Sequence, residues 1–219
     1  MTKPSTTVLA SAALLAMMMG GAVAGPTRAV ATGQAVGQPG AASALWHDQH
    51  DNDAGKAVGS QNYEPAFDDY DNGVADDFTV PEGQVWKVGT VNVTGRYSSG
   101  DGPARSMHVT FYKDKGGKPG AVAADYPEIT GGDNGSGSFN LKLPAPAKLK
   151  PGSYWVSVQA NMDMFGGGQW AWQQRSVVNG TPAKWRNPGN GSMSGCVRWR
   201  GLDTCLDVGK TDMMFSLGK

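Results

Sequence analysis

The stretch "YWVSVQA", residues 154–160, decides how the rest of the chain reads. Tyr154, Val156 and Val158 alternate with Trp155, Ser157 and Gln159, the period of two that a β-strand imposes on its two faces. Working outward, "DDFTV" (76–80) sets Phe78 and Val80 on one face, and "MHVTFY" (107–112) sets Met107, Val109 and Phe111 inside against His108, Thr110 and Tyr112. "SFNLKL" (138–143) does so with Phe139, Leu141 and Leu143, and "DMMFSLG" (212–218) with Met213, Phe215 and Leu217. In "QVWKVGTVNVTGRY" (84–97) the parity changes between Trp86 and Val88 and then Val91 and Val93. That change requires a β-bulge or a break at Gly89-Thr90. With "QWAWQQRSVV" (169–178), these segments give about eight strands. Asn-Gly dipeptides at 72–73, 134–135, 179–180 and 190–191 punctuate the chain as turns. The chain holds 32 glycines and 13 prolines, and few runs have a 3.6-residue period. The reading is an all-β, antiparallel β-sandwich with a jelly-roll-like arrangement.

Residues 1–24 carry Lys3, an uncharged apolar run and the triplet Ala22-Val23-Ala24, which reads as a secretory signal peptide cleaved after Ala24, or alternatively after Ala31. A transmembrane anchor is the rival reading, but the run is short and rich in Ala and Gly for a span. Residues 25–45, "GPTRAVATGQAVGQPGAASAL", read as a flexible Gly/Ala/Pro-rich tether. Residues 46–219 then form one β-sandwich domain with an acidic segment at 47–77. The chain closes on its last strand with no sorting tail, so the expectation is a secreted, extracellular protein, with the periplasm as alternative. Cys196 and Cys205, the two cysteines, are expected to pair as a disulfide in an oxidising compartment.

The formal net charge is zero, yet residues 48–77 hold nine acids against Lys56 alone, while Phe78 to the end holds sixteen bases against ten acids. A nucleic-acid partner is not suggested by this balance. No membrane partner is expected after signal cleavage.

"ADDFTVP", "VTFYKDKGGKPG", "LKPGSYWVSVQANM", "GQWAWQ" and the closing "DMMFSL" resemble, in order, the motifs of a widespread group of secreted bacterial β-sandwich domains. That group carries an "ADDF.V" first strand, an "FY.D..G.PG" turn, a "L..G.YWVSV" strand and a "D.aF.l" last strand. The resemblance covers roughly residues 60–219. It implies a jelly-roll-like fold, alone or as an accessory module of exported proteins, and it implies no catalytic residues.

Calcium takes six to eight oxygens from a chain that turns sharply. Asp51 and Asp53 in "DNDAG", and Asp69 and Asp71 in "DDYDNG", each stand at i and i+2 before a glycine, and Asp76 follows closely. These five are the candidate ligands of a structural calcium. The chain has sixteen Asp and three Glu, a bias that suits tight oxygen cages, and a cation would relieve the repulsion of packed carboxylates. Against this stands ordinary turn chemistry, in which Asp side chains bond nearby amides. An EF-hand does not fit, because the later acidic ligand and flanking helices are missing. His47 and His50 beside Asp48 and Asp51 form a weaker zinc candidate.

No HExxH, GxSxG or Walker pattern occurs. Seven tryptophans leave aromatic surface as the other lead. Trp155 shares a strand face with polar residues, which predicts exposure, while Trp170 and Trp172 read as core. "KWRN" and "VRWRG" interleave Trp185 and Trp199 with Arg186, Arg198 and Arg200. They form a candidate cationic-aromatic rim for a glycan or cell-surface polymer, with structural Arg–Trp stacking as the competing account. The functional expectation is an exported non-catalytic binding or accessory module. The alternative is a secreted polysaccharide hydrolase working through paired aspartates.

Overall fold

The computed structural model describes residues 44–219. The signal segment 1–24 and the tether up to residue 43 lie outside the described residues. Within them run β1 (Leu45–Asp48), β2 (Asp53–Gly59), β3 (Gln61–Asn62), β4 (Gly73–Val80) and β5 (Trp86–Val93). There follow β6 (Gly95–Ser98), β7 (Ser106–Asp114), β8 (Pro119–Ile129), β9 (Phe139–Leu149) and β10 (Gly152–Asn161). The last are β11 (Gln169–Arg175), β12 (Lys184–Arg186), β13 (Arg200–Gly201), β14 (Asp212–Met213) and β15 (Phe215–Gly218). A 3-10 segment, Pro65–Tyr70, and short helical turns at Met164–Gly167 and Leu202–Leu206 interrupt them.

One layer is the sheet β13-β12-β4-β10-β7-β8, with β3 added in parallel at the end of β10. Opposite it lie the sheets β1-β15-β5-β9 and β14-β11-β2, the latter also carrying β6. Only Thr94 separates β5 from β6 and only Met214 separates β14 from β15. The Thr94 N–H donates to the Met214 carbonyl at 3.2 Å, so these two sheets are joined by strands that bend at one place. That bending, with several two- and three-residue edge strands, is why more strands form than the eight expected. The antiparallel all-β sandwich itself stands.

The alternation seen in the sequence is the alternation of the core. Phe78 and Val80 of β4, Met107, Val109 and Phe111 of β7, Phe139, Leu141 and Leu143 of β9, and Tyr154, Val156 and Val158 of β10 are all buried in one cluster. Met213, Phe215 and Leu217 join them. The parity change in β5 is a register shift against β9 between Val88 and Thr90, which returns Val91 and Val93 to the interior. Trp86 stacks on Phe78 at 6.0 Å and Phe78 on Tyr154 at 5.8 Å, crossing from one layer to the other.

The outer face of β4-β10-β7 departs from expectation. Trp155, expected on an exposed face, is 0% exposed, and Tyr112, Ser157 and Thr110 are buried beside it. Trp155 packs with Ala75 and Tyr112 in a second small core under Trp199, with the Lys184 ammonium 5.7 Å from its ring. Its indole N–H donates to Asp114 Oδ1 at 2.8 Å. A segment distant in sequence, 184–201, covers what β10 alone would leave open. Trp155 is therefore structural and presents no ring to a ligand.

Candidate functional site

The segment that covers Trp155 is itself pinned. In β12, Trp185 faces the core, with its indole N–H on the Gly59 carbonyl at 3.2 Å, while Lys184 and Arg186 point to the outer side, opposite Ala75 and Gly73 of β4. Trp185 is buried, so it too offers no ring to a ligand. Downstream, Cys196 and Cys205 form the expected disulfide. For a loop of this size the chain-entropy account gives about 2–3 kcal/mol. Arg198 and Trp199 lie inside that covalent loop.

Trp199 is half-buried. One face carries the Arg186 guanidinium, 4.4 Å from the ring centre, and the ring meets Tyr112 edge-on at 6.0 Å. Its distal carbon lies 3.5 Å from where a Cβ on Gly73 would stand, which keeps the indole flat against the sheet. From the other side comes the β7–β8 hairpin. Its turn places Gly116 and Gly117 at φ 64° and 72°, the backbone a two-residue type I′ turn demands and glycine tolerates. The Lys115 N–H donates to the Lys118 carbonyl at 2.9 Å, and the Asp114 carboxylate accepts from Gly117 N at 3.1 Å. Asp114 thus fastens both the turn and Trp155.

These pieces enclose a cleft of about 380 Å³ lined by Lys115, Lys118, Arg186, Val197, Arg198 and Trp199. Among the described residues, none of its four cations belongs to an ion pair; the four pairs present involve His50, Arg105, His108 and Arg175. Four basic side chains converging on one half-open indole suit a ligand that is anionic and carries a flat apolar face. Lys115 and Lys118 were missed in the sequence because nothing local links "KDKGGK" to residues 186–199. Arg200 is exposed in β13 and does not line this cleft.

The candidate calcium ligands behave differently. Asp51 accepts from Arg175 Nε at 2.8 Å, which holds its carboxyl below the usual range. Asp53 accepts from Gly55 N at 2.7 Å and from Gln173, with the same effect on its pKa. Asp71 accepts from Tyr63 N at 2.7 Å; burial nevertheless raises it. The Asp69 carbonyl receives Gly191 N and Asn187 Nδ2, both at 2.7 Å. Asp76 is fully buried, and its Oδ2 accepts from Gln49 Nε2 and Met213 N, both at 2.7 Å. Among the described residues no group of three or more His, Cys, Asp or Glu stands where it could hold a metal ion. His47 stacks on Phe215 at 5.0 Å and bonds Gln49, while His50 bonds Asp48.

One pair of carboxylates interacts inside the protein. Burial raises Asp76 well above the usual carboxyl range, and the charge of Asp212 adds to it. Asp212 is pushed up to about 6 by burial, against the pull of the Asn179 N–H on its Oδ2. Its Oδ1 is buried with no hydrogen-bond partner. Both residues have no exposed surface, so the pair faces the sandwich interior and no cleft.

No protein-family model matches the chain, and no curated protein matches it. Among solved structures it is similar to the cysteine protease and lectin-like domains of a surface layer associated protein of Clostridium difficile, at 10% identity and a TM-score of 0.43. The match covers 67% of this chain and 31% of that one, about a third of that chain's length. Among the described residues, no helix is long and apolar enough to cross a membrane.

Proposed function

We propose that this chain is an exported, non-catalytic β-sandwich that binds an acidic glycan or cell-surface polymer at the cleft around Trp199. The observation that carries the reading is the set of four cations, Lys115, Lys118, Arg186 and Arg198, which line one cleft and belong to no internal ion pair. A protein that gathers like charges without neutralising them loses stability to self-repulsion; a polyanion would remove that cost. Arg186 and Arg198 supply planar forks for carboxylate or sulfate, and Lys115 and Lys118 supply point charges from a rigid turn. The reading needs no structural calcium, since the acidic segment is held by the chain's own donors. A hydrolytic role would need two carboxylates facing substrate, and the interacting pair, Asp76 and Asp212, has no surface to offer it.

Affinity electrophoresis of the mature domain through gels containing a polyuronate, set against gels containing neutral dextran, tests the proposal. Retardation only in the polyuronate gel, lost as salt rises through 0.5 M, is the expected result. Equal mobility in both gels contradicts it.

A further inference from the structure

A second cleft, built from uncharged side chains, lies at another part of the surface. Tyr63, Phe67, Tyr70, Met164, Gln169 and Ser192 line a depression of about 280 Å³, near the small end of ligand pockets, which begin at about 300 Å³. Its aromatic rings are left open to solvent: Tyr70 is 50% exposed, and Phe165, packed edge-on against Phe67 at 5.5 Å, is 78% exposed. Phe67 and Tyr70 meet at 6.1 Å.

Loose exposed rings would collapse onto one another or the core, but these are braced. The Glu64 carboxylate accepts the backbone N–H of Met164 at 2.7 Å and that of Phe165 at 3.4 Å, so the aromatic turn is tied to the 3-10 segment. Partial burial works against the charged form, yet these backbone donors hold Glu64 below its ordinary pKa. Behind the turn, Gln61 is wholly buried and its Nε2 donates to the carbonyls of Met162 at 2.7 Å and Gly168 at 3.1 Å. Both stems of the turn are thereby fixed, and Gly166 and Gly168 at φ 95° and 87° supply the reversal. The rings stand in place before any ligand arrives, which lowers the ordering cost of binding.

No charged side chain lines this cleft. Its polar groups are neutral: the Gln169 carboxamide, whose Nε2 donates to the Tyr63 hydroxyl at 3.2 Å, the Tyr70 hydroxyl and the Ser192 hydroxyl. Aromatic faces edged by phenol, amide and alcohol groups match a ring that is apolar on one face and hydroxylated around its rim. We infer that this cleft is a binding site for a neutral pyranose unit, stacked on Tyr70 and Phe67 and hydrogen-bonded by Gln169 and Tyr63. It stands independently of the cationic cleft.

The test is saturation-transfer NMR of the mature domain with four neutral hexasaccharides: cellohexaose, maltohexaose, xylohexaose and the hexamer of N-acetylglucosamine. Saturable binding of at least one is expected, weakened at least tenfold by Tyr70→Ala and unchanged by Arg186→Gln with Arg198→Gln. Phe165→Ala, at a ring with little packing to lose, is the second variant should Tyr70→Ala lower the melting temperature; it is expected to weaken binding about threefold. Failure of all four sugars to bind overturns the inference. So does binding that survives both aromatic variants.

Discussion

Asp51, Asp53, Asp71 and Asp76 each end on a donor that the chain supplies, whereas Lys115, Lys118, Arg186 and Arg198 end in no ion pair. In sequence, the acidic segment looks the more chemical of the two regions, with its carboxylates at ligand-like spacing. In the fold it is the more structural. The partners that absorb its charge, Arg175, Gln173 and Met213, come from more than a hundred residues away. The basic region gathers its charge from two remote turns and leaves it open. Charge density in a sequence therefore marks a site only when the chain has not already paired it.

The first way to break this comparison is to remove the support of the basic side. Trp155→Ala deletes the buried ring beneath Lys184 and Trp199 and is expected to cost about 3–5 kcal/mol, read as a lowered denaturation midpoint. A loss below 1 kcal/mol would mean that the covering segment is not packed on that ring. The disulfide comes next. Cys196→Ser with Cys205→Ser should cost about 2–3 kcal/mol and should weaken polyuronate binding as well, since Arg198 and Trp199 lose their covalent frame. Unchanged polyuronate affinity in that variant would separate the loop from the site.

On the acidic side, the Asp76–Asp212 pair gives a pH signature of definite sign. Asp212 has a folded pKa of about 6 against an ordinary 3.8, and Asp76 is raised too, so the folded state holds protons that the unfolded state has released. The contribution is fully present below about pH 4 and is lost as pH rises through about 6. Asp51 and Asp53, whose pKa values are lowered, act oppositely and below that window. Denaturation midpoints from pH 4 to pH 7.5 should fall more steeply for the wild type than for Asp212→Asn; parallel curves would show that Asp212 ionises normally. The smallest expected effect is that of calcium. Melts in EDTA and in millimolar calcium should agree to within about 1 °C, and a calcium-selective rise of several degrees would return the acidic segment to a metal role.

Much of the fold was legible because a strand's inner face is written locally. The inward residues of β4, β7, β9 and β10 follow from alternation alone, the change of phase at Gly89 marks the register shift, and the paired cysteines follow from compartment and count. What alternation cannot say is whether the other face is covered. Trp155, beside Ser157 and Gln159, has the pattern of an exposed residue, and only residues 184–201 folding across β10 bury it. The letters shared with the secreted β-sandwich group also gain a physical reason: Asp114 bonds Gly117 and Trp155 together, and Asp76 anchors Gln49 and Met213. The aromatic cleft was illegible for a similar cause, since Tyr63, Tyr70 and Met164 meet only through Glu64. Its one local signal is a phenylalanine in "MFGGGQ", where glycines leave it no neighbour to pack on.

The most direct test of the central claim is hydrogen–deuterium exchange of the mature domain with and without a hexameric oligouronate. The account predicts added protection in peptides covering 113–120 and 184–200, abolished in the Arg186→Gln, Arg198→Gln double variant. Protection confined to 48–77, or none at saturating ligand, would contradict it.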